Sequence, residues 1–146
     1  GVLDRSIAAG HFIVPIAAYR DEGTSYHYAP ASDYIDIPTA AELSAAFDAI
    51  SMPHVQGKTW TTDAIYRETR DGLAKRRAEG CITVEMECAS LMAVGQFRKK
   101  AVYMFLYAED CLDSVEWDPR IMGKQPATAY EGYLDVALEC AIRVKG

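Results

Sequence analysis

The chain has 146 residues, 50% of them apolar and 25% charged, and its 15 Lys and Arg against 21 Asp and Glu give a net charge of −6. That balance suits one globular domain, or one part of a larger one, burying roughly two-thirds of its unfolded surface, and excludes a disordered or fibrous chain. The acidic surplus excludes a broad electrostatic grip on nucleic acid or anionic lipid, and an anionic ligand would need a local arginine cluster.

After Gly10, the apolar run over residues 12–18 predicts a strand. Arg20-Asp21-Glu22-Gly23-Thr24-Ser25-Tyr26-His27-Tyr28, closed by Pro30, reads as a loop dense in donors and acceptors. Residues 34–37 alternate like a half-buried strand. Thr39 followed by Glu42 has the spacing of a capping box, and Leu43, Phe47 and Ile50 continue a helix over 40–50. A strand is expected over 55–60, with Thr61-Thr62-Asp63 capping a turn into a helix that ends before Gly80. Residues 81–84 read as a buried strand, and Met86, Ala89, Ala93 and Phe97 place a helix over 86–97 that ends on Arg98-Lys99-Lys100. Residues 101–107 form a further apolar strand, and Tyr130, Leu134, Ala137, Leu138 and Ala141 mark a last helix over 127–144. Strands alternating with helices predict an α/β architecture with a largely buried sheet, whose chemistry gathers at strand ends.

No apolar run approaches the ~20 residues of a membrane span, and no basic segment followed by an apolar one opens the chain. Cys81, Cys88, Cys111 and Cys140 show neither a C-x-x-C pair nor metal-ligand spacing, and His11, His27 and His54 are scattered. Reduced, buried thiols, no metal, no membrane or nucleic-acid partner and a cytoplasmic location are expected.

Three polar clusters fall at predicted strand ends. Glu85-Met86-Glu87 places two carboxylates between a strand and a helix: they either complement the helix N-terminus or grip a vicinal diol, such as a ribose presents, over an apolar Met floor. Glu109-Asp110 follows the strand over 101–107, where a partly desolvated acid can hand a proton to a leaving group, or simply face solvent. Arg20 lies in the third cluster, either as an anion ligand or as a structural ion-pair former. Trp60 is either core or a plate for a planar base, and Arg67 and Arg70 are surface charges by default.

Taken in order, Arg20 to Tyr28, Trp60-Thr61-Thr62-Asp63-Ala64-Ile65-Tyr66 and Val84-Glu85-Met86-Glu87-Cys88-Ala89 resemble the nucleoside phosphorylase family that contains hexameric purine nucleoside phosphorylase and uridine phosphorylase. The resemblance covers almost the whole chain. It implies a mixed central sheet flanked by helices, and a site in which Met86 and Glu87 meet the ribose, Trp60 stacks near the base, and Asp110 protonates a departing purine; Glu85, beside them, is a further substrate-binding candidate. Glu87 and Asp110 are thereby the catalytic candidates. Glu109 stands where the purine enzymes usually carry Ser. Arg70 matches the Arg with which uridine phosphorylases read a pyrimidine, while Glu68 falls where they carry Gln, so the base stays open.

Family members begin with further strands, a Gly-containing phosphate loop and phosphate-holding arginines, and Gly1-Val2-Leu3 looks like the end of the central glycine motif. The expectation is therefore a single domain over 1–146, the C-terminal part of the family fold without the N-terminal strands, with an uncovered apolar sheet edge. Nucleoside phosphorylase activity is implied, with phosphate as co-substrate, no cofactor and a homo-oligomeric assembly. Hydrolysis by a nucleosidase of the same fold, or an inactive binding module, are the alternatives.

Overall fold

The computed structural model describes residues 1–144. β1 (Phe12–Asp21) is the central strand of a five-stranded mixed sheet. It pairs in parallel along its length with β3 (His54–Thr62), and β3 pairs in parallel with β4 (Cys81–Glu85). On its other edge β1 takes β2 (Tyr34–Asp36) near one end and β5 (Leu106–Tyr107) near the other, both antiparallel. β1 and β4 read as largely apolar runs because both of their faces are covered, whereas β3 carries Gln56, Lys58 and three threonines and is fully buried only over 59–62. The larger core lies between Phe12, Val14 and Ala18 of β1 and the helices α1 (Ala40–Ala49), α3 (Cys88–Phe97) and α4 (Ala127–Ala141). α2 (Arg70–Ala78) sends Leu73 to a smaller cluster around Leu3, Trp60, Cys81 and Val84.

The predicted elements are present, with differences at their ends. β1 runs on through Tyr19, Arg20 and Asp21, because these pair with Trp60, Thr61 and Thr62. Arg20 is thus a strand residue, 3% exposed. Its guanidinium donates to Ser25 Oγ at 2.8 Å and to the Pro30 carbonyl at 2.6 Å, and it covers the Tyr26 ring. Of the two readings of Arg20, the structure takes a structural one, although its partners are loop carbonyls and hydroxyls, not a carboxylate.

The capping box before α1 does not form: Thr39 Oγ1 donates to the Val102 carbonyl at 2.6 Å, and Glu42 accepts from the Tyr103 hydroxyl at 2.5 Å. Thr61 and Thr62 are buried strand residues, and Thr69 caps α2 instead, accepting from the Gly72 amide. In the segment 101–107 only Leu106 and Tyr107 join the ladder, opposite Ile13 and Phe12; the residues just before them pack their half-buried side chains against the core. α4 ends three residues short of the expected boundary at 144.

The outer edge of β4 is not bare. The Val84 amide donates to Gly1 O at 2.9 Å and the Leu3 amide to Ile82 O at 2.8 Å. The Leu112 amide in turn donates to Val2 O at 2.9 Å, so residues 1–3 lie between β4 and the segment after Asp110. All four cysteines are free and buried, and burial pushes the thiols of Cys81, Cys88 and Cys140 up, away from reactivity.

Candidate active site

β4 ends at Glu85, and the turn into α3 is only Met86 and Glu87. Glu87 is the N-cap residue of α3, yet its side chain makes no capping hydrogen bond. The capping is done from the strand side. Glu85 Oε2 accepts from the amides of Glu87 (2.8 Å) and Cys88 (2.6 Å). Its Oε1 accepts from the hydroxyls of Thr61 (2.5 Å) and Thr59 (3.2 Å) on β3. Burial outweighs these bonds and pushes the Glu85 carboxyl above its ordinary range.

A cavity of about 310 Å³ opens beside this turn. Glu85, Glu87, Glu109 and Asp110 line it together with Phe105, Leu106, Tyr107 and Met122. Asp110 is 8% exposed, and its Oδ2 accepts from Trp117 Nε1 at 2.7 Å. Its Oδ1 lies 3.2 Å from the Gly1 nitrogen. Burial, and then the charge of Glu109, push the Tyr107 hydroxyl up, so it stays a protonated donor. The Tyr107 ring is stacked on Tyr133 at 3.9 Å. Glu68 lies within electrostatic reach of the same corner: burial pushes its carboxyl up, the Gly1 amino group opposes this, and Asp110 adds to it. Among the described residues no group of three or more His, Cys, Asp or Glu is placed to hold a metal ion, and the cavity lining contains no Arg or Lys.

Four of the acids singled out in the sequence thus share one cavity. Three other candidates fall elsewhere. Trp60 is 3% exposed, packs with Leu3, Cys81 and Val84, and donates to Asp21 Oδ2 at 3.0 Å, so no face of the ring is open to a base. Its enrichment beside a polar stretch reflects an amphipathic side chain with one buried hydrogen bond. Trp60→Phe is expected to lower stability by about 0.5–1.5 kcal/mol, since it removes a part-buried hydrogen bond to a carboxylate that solvent can still reach. Urea unfolding checks this, and an unchanged midpoint would remove the Asp21 bond as a contributor. Arg70 donates to the Val115 carbonyl at 3.0 Å in a separate groove with Arg5 and Arg77, away from the acids. Met86 is 42% exposed and does not line the cavity. Trp117 was not singled out; a Trp in an acidic loop seven residues after Asp110 was the available signal, and its 59% exposure leaves the indole N–H free to reach that carboxylate.

Residues 1–129 match the family model of the phosphorylase superfamily. The chain belongs to this superfamily. Among solved structures, the AMP nucleosidase of Bacteroides thetaiotaomicron VPI-5482 aligns with 97% of this chain and 55% of its own, at 25% identity and a TM-score of 0.69. The purine nucleoside phosphorylase of Toxoplasma gondii, solved with immucillin-H, aligns with 96% of this chain and 58% of its own, at 19% identity and a TM-score of 0.76. The P. knowlesi homolog of P. falciparum PNP aligns at 20% identity and a TM-score of 0.72, over 97% of this chain and 57% of its own. The last two likenesses concern the fold. An uncharacterized protein of Acanthamoeba polyphaga mimivirus is 25% identical over 116 residues, which are 77% of this chain and 44% of that protein. The chain therefore spans about half the length of the superfamily relatives it matches. No helix among the described residues is long and apolar enough to cross a membrane.

Proposed function

We propose that this chain cleaves the N-glycosidic bond of a purine or pyrimidine nucleoside with phosphate, giving free base and ribose 1-phosphate. The observation that carries the reading is that Glu87 and Asp110, far apart in sequence, line one cavity. Bond cleavage sends the electron pair of the C1′–N bond to the base and leaves positive charge on the ribose. The Glu87 carboxylate, whose oxygens have no protein partner among the described residues, is available to accept from ribose hydroxyls and to oppose that charge. Asp110 shares a proton with the base so that it departs neutral. The Trp117 N–H fixes the direction in which that carboxyl points.

The four acids lining the cavity offer a phosphate dianion no attraction, and burying such a group unpaired is prohibitively costly. On this reading the cations for phosphate come from polypeptide beyond the cavity lining, either preceding sequence or a partner copy. The exposed apolar stripe of Tyr130, Leu134, Leu138 and Ile142 along α4 supports a homo-oligomer.

Use of water as nucleophile is the second reading, favoured by the 25% identity with the Bacteroides AMP nucleosidase. Base release by the intact protein, followed by absorbance with and without phosphate, separates them. Phosphorolysis requires phosphate and yields ribose 1-phosphate, whereas an equal rate in phosphate-free buffer establishes hydrolysis. Calorimetry on these 146 residues alone is expected to show no saturable phosphate binding at millimolar concentration, and tight binding would overturn the account of where the cations lie.

A further inference from the structure

The α3 N-terminus carries an unusual division of labour. A helix start leaves several amides without intrahelical partners, and a carboxylate at the N-cap position is ordinarily drawn to them. Here Glu87 holds the N-cap position, but Glu85, two residues earlier, takes the amides of Glu87 and Cys88. The next amide, of Ala89, donates to Thr61 Oγ1 at 3.0 Å. Thr61 Oγ1 itself donates to Glu85, and Thr59 adds a second hydroxyl. One carboxylate therefore ties β3, β4 and the start of α3 together, and four donors occupy its two oxygens. A carboxylate so engaged has little left for a ligand, although it lines the cavity.

We propose that Glu85 is the positioning residue of this site: it caps α3 in place of Glu87, so that the Glu87 carboxylate is released from the helix and left to the ligand. The proposal rests on the nucleoside reading above and replaces the direct substrate contact expected for Glu85. It differs from a merely structural role in one respect: loss of Glu85 matters to the ligand only through Glu87.

Two measurements test it. In Glu85→Ala the acceptor of both amides is removed, so hydrogen exchange at the Glu87 and Cys88 amides should speed up about tenfold or more relative to amides later in α3. Unchanged protection overturns the proposal. Second, nucleoside affinity, followed by the fluorescence of Trp117 beside Asp110, should fall about tenfold in Glu85→Ala but change by less than about twofold when the same substitution is made in Glu87→Gln. Equal losses in both backgrounds show that Glu85 touches the ligand itself and overturn the proposal. If Glu85→Ala does not fold, Thr61→Val removes the 2.5 Å contact and the acceptor for Ala89; exchange should then speed up at the Ala89 amide, with the same affinity pattern. A parent protein that binds no nucleoside counts against the nucleoside reading, while the exchange pattern still decides whether Glu85 holds the start of α3.

Discussion

Asp110→Asn is expected to lower turnover of purine nucleosides by the intact protein about 10²- to 10⁴-fold, the range that a positioned proton donor contributes. The side chain keeps its shape, and its remaining oxygen can still accept from Trp117 Nε1, which now lies 2.7 Å from the carboxylate. The fold and substrate affinity should therefore survive while the proton is lost. A nucleoside whose base leaves without protonation is the control, and its turnover should change by no more than about threefold, which is under ~1 kcal/mol. Equal losses for both substrates would show that Asp110 is structural, or that the base is not protonated there. The measurement is kcat for the two substrate types, since the donor acts after binding.

Glu87→Gln should lower kcat/KM about 10²- to 10³-fold, as removal of one preorganised electrostatic contact does elsewhere, with a cost of roughly 3–4 kcal/mol. Stability should move by less than about 0.5 kcal/mol, because the side chain is exposed and makes no hydrogen bond within the described chain. That pairing of a large kinetic effect with a small change in Tm is what separates a ligand contact from a packing role. Activity within about threefold of the parent would remove Glu87 from the site. Here the division of labour between Glu85 and Glu87 matters. Removing the side chain two residues earlier should alter the start of α3, because Glu85 and not Glu87 holds its amides.

Much of the strand–helix alternation was legible in the sequence because β1 and β4 are largely apolar runs and α1, α3 and α4 repeat their apolar residues at about 3.6-residue spacing. Glu85, Glu87, Glu109 and Asp110 could be singled out for a related reason: acids directly after such runs must sit at strand ends, and the cavity brings all four together. Family membership was legible in the same segments through their resemblance to the family pattern, and the family model matches residues 1–129. What each side chain does at its position was decided by partners distant in sequence. Trp60 faces the core because Leu3, from the far end of the chain, packs on it and Asp21 takes its N–H. Arg70 is turned away by the Val115 carbonyl, 45 residues on. Thr39 gives its hydroxyl to Val102 rather than to its own helix. The edge of β4 is covered by residues 1–3, a pairing that spans more than 80 residues. Local spacing determines which face of an element is apolar and where an element ends in an acid. Whether a polar atom is free for a ligand depends on which donors and acceptors the folded chain brings within about 3 Å of it, and only the tertiary structure sets that.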